Sequence, residues 1–483
     1  MPLSRRDFAK RSAYTGAGVA LVGSVGVLGT APGALAAEAA DAEAEGLGHG
    51  HRFGYGPLLP DPDGILALPA GFSYRVITRT GVTTLESGES TPSNHDGTAT
   101  FEGPRGATLL VNNHELKGPR SSWPHPVPLA EGLVYDPAAS GGCTVVEVSK
   151  HGEPLGEWVG IAGTSTNCAG GSTPWGTWLT CEETEDKAGK NGMTKDHGYV
   201  FEVDPLDRRA NRDPKPIKAL GRYAHEAVVV DPRRGHLYLT EDASGPNGLF
   251  YRWTPPQGFR HGRGKLRTLA DDAGALQAFR CFDSGGRFVD DLSRATETGT
   301  VYGVDWVDVP DRDARSVPVR AQFGPGQVTR ARKLEGMWWG DGGAYVVASF
   351  ARSESPVAHD GQVWFYNPAR RTLTLKVLLG VNPDPAEDGA LDGPDNITVS
   401  PYGGLVVAED GEGVQHLFGA TDDGRTYPIA RNELNIGTAE KPEYSEFTGV
   451  VFSHDGRTLF ANIQDPGIML AITGPWRRQR PDC

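Results

Sequence analysis

Five acids and one thiol recur at one phase of a repeated pattern in this 483-residue chain: Asp96, Cys168, Glu226, Glu335, Asp395 and Glu446. Each leads into an apolar stretch, and long segments separate them. Taken singly, an Asp or Glu near glycine is usually a turn or capping residue. His95 and His225 read as hydrogen-bonded structural histidines, and Trp175, Trp178, Trp338 and Trp339 as packing aromatics. The repetition is what points to chemistry. Six such groups around one opening repel unless they are protonated or neutralised by cations. Oxygen-rich clusters suit hard ions such as calcium, whereas a thiolate among carboxylates suits a transition metal such as iron or zinc. A multi-metal site is therefore expected.

The elements that position these groups follow from what comes after each one. A polar cluster precedes a strand, a turn rich in Gly, Pro or Asp, and a second strand that often ends in acids or amides. In the first unit, Asn94-His95-Asp96-Gly97 leads to Gly103-Pro104-Arg105-Gly106 and then to Thr108-Leu-Leu-Val-Asn-Asn-His-Glu115. The others start at Asn167, His225, Glu335, Pro394 and Glu446, and the second strands of three of them end at Glu183, Asp242 and Asp410. Further strands, such as 198–203, 248–253 and 361–366, lie between the hairpins. With 65 glycines, 36 prolines and no sustained helical periodicity, the chain reads as many short strands joined by turns. Hairpins repeated in this way predict an all-β fold, a six-bladed β-propeller with insertions covering the mouth. Residues 258–330 are the least regular and are expected to form that cover. A β-sandwich is the competing architecture, but it gives no reason for six similar hairpins.

The N-terminus carries Ser4-Arg5-Arg6-Asp7-Phe8-Ala9-Lys10, an apolar small-residue stretch from 13 to 28, and Ala34-Leu35-Ala36. This is the pattern of a twin-arginine signal peptide over 1–36 with a small-residue cleavage site. The twin-arginine translocation machinery, which carries folded proteins, is the expected partner. Residues 37–52 read as a disordered linker, and 53–483 as one catalytic domain. No later segment resembles a membrane span, so secretion without a stable membrane anchor is expected, as a monomer. The formal charge of −14 gives no general attraction to nucleic acid or anionic lipid. Local cations must overcome that field if the substrate is an anion. Five cysteines leave at least one thiol outside any disulfide, and Cys168 is the candidate.

The run Asn167-Cys-Ala-Gly-Gly-Ser-Thr-Pro-Trp-Gly-Thr-Trp-Leu-Thr-Cys-Glu-Glu183 closely resembles the PhoX-type exported alkaline phosphatases. His95-Asp-Gly97, Asn113-His-Glu115, His225-Glu226 and Asp392-Gly-Pro-Asp-Asn396 extend the resemblance, which runs from about residue 53 to the C-terminus. It implies a six-bladed propeller with iron and calcium at the mouth. By the same resemblance Cys168, Glu226 and Glu335 would hold iron. Glu182, Glu183, Asp395 and Asn396 would belong to the metal cluster, mainly on its calcium side. The family's phosphatases tend to carry an arginine two residues before the equivalent of Glu335, whereas this chain has Lys333. Lysine keeps the charge but loses the bidentate fork.

The expected activity is metal-dependent hydrolysis of small phosphomonoesters, with Lys333 and Glu335 as catalytic residues. The alternatives are another metal hydrolase on the same scaffold, a lactonase or phosphodiesterase, and a non-catalytic binding propeller stabilised by calcium.

Overall fold

The computed structural model describes residues 53–349, 351, 355–386 and 390–479. The expected signal peptide and linker, and Cys483, lie outside them. The described residues form strands joined by turns and a few single-turn 3-10 segments, with no α-helix among them. Among the described residues no helix is long and apolar enough to cross a membrane.

Six hairpins follow one another along the chain. Their first strands are His95–Glu102, Asn167–Ser172, His225–Val230, Leu334–Gly340, Pro394–Val399 and Phe447–Phe452. Each of these packs against the next, and the sixth packs against the first, so the six close a ring. Most of their residues are buried, as in His225–Val230, which is buried at every position. That is why these strands read as apolar runs rather than as an alternation of apolar and polar residues. The second strands are Thr108–His114, Trp178–Glu182, Leu237–Glu241, Gly343–Ala348, Leu405–Glu409 and Thr458–Ile463, each antiparallel to its partner. Later strands extend every sheet outward, giving a propeller-like, all-β arrangement.

Hydrogen bonding divides the strands among five sheets, not six separate ones. The reason is Val301–Asp308. It pairs with Ala275–Phe282, the outer strand of the third hairpin's sheet, and with Thr372–Leu379, the outer strand of the fourth. The two sheets thereby join into one of ten strands. The stretch 258–330, expected to be an irregular cover, thus supplies two long strands. Its Val319–Gln322 segment does reach the residues at the ends of inner hairpins, through Arg320.

The sheet of the last hairpin is completed from the other end of the described chain. Ser73–Arg79 pairs antiparallel with Ile468–Thr473, with Val76 opposite Leu470. The neighbouring residue Ile77 packs with Leu110, Val146, Phe460 and Met469, joining the first and last hairpins in one apolar cluster. Apolar burial of this kind contributes roughly 25 cal/mol per Å². Replacing Ile77, only 2% exposed, with alanine is expected to destabilise the fold by about 2–5 kcal/mol. Urea denaturation followed by tryptophan fluorescence would register this as a lower midpoint.

Candidate metal centre

At the same point in each of the six inner strands the ladder skips a residue. His95 faces His114 and Thr98 faces Asn112, so Asp96 and Gly97 together oppose the single residue Asn113. The same two-against-one step occurs between Asn167 and Gly170, His225 and Val228, Leu334 and Met337, Pro394 and Ile397, and Thr448 and Val451. A β-bulge bends the strand and re-aims the bulged side chain. The first residues of the six bulges are Asp96, Cys168, Glu226, Glu335, Asp395 and Gly449. Five of the six are residues that the repeat singled out.

The sixth is not. Glu446 precedes its strand by one residue, three positions before the bulge. Gly449 sits at that bulge with φ +61°, and a Cβ there would collide with the Asn462 amide and come 2.5 Å from the Asp96 carbonyl oxygen. No side chain fits at that corner. Two of the second bulge residues, Gly97 and Gly336, lack a side chain for a related reason. A Cβ on Gly97 would lie 2.6 Å from the Ala169 Cα, and one on Gly336 2.7 Å from the Asp395 carbonyl oxygen, so consecutive bulges touch backbone to backbone.

Three overlapping donor groups result. Cys168, Glu183 and Glu226 bring ligand atoms within 4.8 Å of one another, as do Glu226, Glu335 and Asp395, and as do Asp395, Asp410 and Glu446. Glu226 and Asp395 are shared, so the three groups form one continuous array. Cys168, Glu226, Glu335 and Asp395 are buried, while Glu183, Asp410 and Glu446 are partly buried. Glu183 and Asp410 occupy equivalent places, each one residue past the strand that backs its bulge. In sequence Asp410 stands out only as the end of a second strand, and the structure adds it to the donors. The recurring acids at the ends of second strands were the available signal.

Of two further expected cluster members, Glu182 faces away from the array, while Asn396 meets it through Asp395. Glu182 is fully buried and outside these groups. Its Oε1 accepts from the Ser165 N–H at 2.9 Å and lies 2.6 Å from His197 Nδ1, while Oε2 accepts from the N–H groups of Gly198 at 2.9 Å and Tyr199 at 3.1 Å. Adjacent residues on an extended chain point to opposite sides, so Glu183 reaches the array and Glu182 does not. Asn396 is the second residue of its bulge. Its amide donates to Asp395 Oδ1 at 3.1 Å, and its oxygen accepts from the Gly449 N–H at 2.7 Å. It orients Asp395 against the neighbouring bulge.

Lys333 stands at the rim in a left-handed conformation, φ +45°. Its Nζ is 2.7 Å from Glu335 Oε1 and 3.5 Å from Asp242 Oδ2. Arg320 lies 2.8 Å from Glu185 and 3.2 Å from Glu241. Asp96, the first residue of the first bulge, lies outside the three donor groups and accepts at 3.2 Å from the Gln464 amide, which also donates to Glu115 at 2.8 Å.

The Cys168 thiol donates toward the His225 and Glu226 carbonyl oxygens, at 3.4 and 3.6 Å. Burial, and then the charges of Glu226, Glu183 and Asp96, push its pKa well up. A nearby cation is what would favour the thiolate. Asn113 donates to the carbonyl oxygens of Cys168 and Ala169, both at 2.8 Å, and accepts from Trp178 Nε1 at 3.0 Å. This tryptophan therefore packs and braces the cysteine bulge. His225 stacks on Tyr223 and is held by burial at a pKa of about 3, in keeping with a neutral structural role. The four described cysteines are all free thiols.

The chain matches known proteins at the level of family and fold. Residues 53–158 and 152–467 match the family described as "Alkaline phosphatase PhoX". The solved structure of Pseudomonas fluorescens PhoX in complex with vanadate, a transition-state analogue, superposes with a TM-score of 0.63 at 18% identity. That match covers 87% of this chain and 98% of that one. A gluconolactonase from Xanthomonas campestris gives a TM-score of 0.37 at 11% identity, covering 88% of this chain and 99% of that one. No match was found among curated proteins.

His197, clamped between two acids beside the array, generates a prediction. Burial alone would lower its pKa, but the Glu182 charge and the hydrogen bonds to Glu182 and Asp136 raise it to about 9 from 6.5. The stabilisation from its positive charge is complete below pH 6.5 and is lost as pH rises through about 9. The stability gap between the unsubstituted protein and His197→Gln, measured by denaturation across pH 6–10, should narrow over that interval and then level off.

Proposed function

This chain belongs to the PhoX alkaline phosphatase family and is a metal-dependent phosphatase; from that premise we propose how its own residues divide the work. The carrying observation is the array of three donor groups linked through Glu226 and Asp395. Its donors fit two kinds of cation. The group with Cys168, Glu183 and Glu226 combines sulfur with oxygen and suits iron. The groups Glu226–Glu335–Asp395 and Asp395–Asp410–Glu446 offer oxygen alone and suit calcium. When bound, such cations supply the positive charge that a phosphoryl group needs as it is transferred.

Around them the chain's own residues bind and orient the substrate. Lys333 offers an ammonium at the rim, and Glu335 and Asp242 hold it in place. A phosphomonoester entering the mouth exchanges part of that pairing for its own oxygens. Lysine acts there as a point charge, without the planar fork of an arginine. Glu335 has two roles, belonging to the central donor group and aiming Lys333. The acid-rich walls disfavour anions wherever cations are lacking, which confines productive binding to the array.

The wider reading is a six-bladed propeller over 53–483, a monomer sent out of the cytoplasm through the twin-arginine route by residues 1–36, with 37–52 as linker. The closed ring of six inner strands supports the blade count, with Val301–Asp308 as a bridge between two blades. The Arg5-Arg6 motif and the apolar stretch behind it support the export route.

Assay on an aryl phosphate tests the division of work. Lys333→Ala should lower kcat/KM about 10- to 100-fold, the worth of one charge-assisted hydrogen bond, and Lys333→Arg should recover most of it. Glu335→Ala should lose more than Lys333→Ala, because a donor and a positioning contact go together. Elemental analysis of the purified protein should find iron and calcium together, with iron selectively depleted in Cys168→Ser. Calcium alone would overturn the assignment of iron to the thiol group.

A further inference from the structure

The polar network behind Glu183 has no part in the phosphatase reading, yet its connections run to the thiol-containing donor group from two directions. Glu182 spends both carboxylate oxygens on four donors: Ser165 N, His197 Nδ1, Gly198 N and Tyr199 N. Ser165 lies three residues before Cys168. Between them Thr166 adopts a left-handed conformation, φ +54°, and its carbonyl oxygen accepts from the Glu183 N–H at 2.9 Å. One buried carboxylate and one backbone bond thus tie the stretch leading into Cys168 to the residue that presents Glu183.

The network continues outward. His197 Nε2 lies 3.3 Å from Asp136 Oδ2. Asp136 is fixed in turn by the N–H groups of Ala138, Thr194 and Lys195 at 2.9, 2.7 and 2.8 Å, and by the Thr194 hydroxyl at 2.6 Å. Tyr135 packs edge-on to the imidazole with ring centroids 5.5 Å apart, limiting rotation of the ring. Glu182, His197 and Asp136 are all fully buried, so water cannot stand in for a lost partner.

We propose that Glu182, His197 and Asp136 form a positioning relay that fixes the distance between the Cys168 thiol and the Glu183 carboxylate, and so tunes cation affinity in that donor group. The inference rests on the metal reading given above. Residues that orient ligands from behind, without touching the metal, commonly change metal affinity 10- to 100-fold when substituted. A network serving stability alone would instead lower the unfolding midpoint and leave affinity untouched.

Cobalt(II) separates the two. Titrated into chelator-treated protein, it should give a near-ultraviolet thiolate-to-cobalt band that Cys168→Ser abolishes. In Glu182→Gln and His197→Gln the cobalt dissociation constant should rise about 10- to 100-fold, with far-ultraviolet circular dichroism unchanged. Asp136→Asn, one contact further out, carries the same expectation in weaker form should Glu182→Gln fail to fold. Asp204→Asn, which breaks the Arg263 pair next to the strand Val200–Val203, serves as control and should leave the affinity within about twofold. An unchanged band and affinity in the relay variants would overturn the proposal, as would an equal loss in Asp204→Asn. Absence of any Cys168-dependent band in the unsubstituted protein would overturn the metal reading, and this inference with it.

Discussion

Mutual repulsion among buried carboxylates is the constraint around which this molecule is organised. Glu226, Glu335 and Asp395 hold oxygens within 4.8 Å of one another, out of bulk water. At that separation two unit charges repel by about 3 kcal/mol even with an effective dielectric near 20. Several such pairs together rival the 5–15 kcal/mol by which a typical domain is stable at all. The array is therefore tolerable only with compensating positive charge or with protons. Lys333 supplies one full charge at the rim, beside Glu335. The remainder falls to cations. The same deficit of positive charge is the source of the array's affinity for them.

What withstands the repulsion is backbone. Each bulge is held by a ladder on one side and by the neighbouring bulge on the other, and the contacts at Gly97, Gly336 and Gly449 leave no slack. A carboxylate on a long loop could swing away from its neighbours, whereas one on a bulge in a closed ring of strands cannot. Side chains behind the ring add to this. Asn113 and Trp178 secure the Cys168 bulge, and Asn396 joins Asp395 to the next corner. Charge crowding is in effect opposed by apolar packing between sheets, where much of the fold's favourable free energy resides.

The phase of the array could be read in the sequence because bulge and strand repeat together. Asp96, Cys168, Glu226, Glu335 and Asp395 each stand just ahead of an apolar run at a fixed offset. Glu446 broke the rule because crowding at the corner between the last and first hairpins demands glycine, and that crowding is a long-range fact with no local signature. Glu182 and Glu183 could not be told apart either. They are chemically identical neighbours, and only the direction of an extended chain decides which one meets the cysteine. Val301–Asp308 was hidden for another reason: its partners come from two different hairpins, so nothing near it in the chain marks it as a bridge.

The strand Ser73–Arg79 seals against Ile468–Thr473, and Glu446 comes from the hairpin completed by that seal. During synthesis, most of the polypeptide leaves the ribosome before the final hairpin exists. A nascent fragment already carries Cys168, Glu183 and Glu226 but has neither a closed circle nor the last oxygen donor. Chain order therefore matters to the array: Cys168, Glu183 and Glu226 precede Glu446 by more than two hundred positions, and the donor group containing Glu446 is the last whose residues are all made.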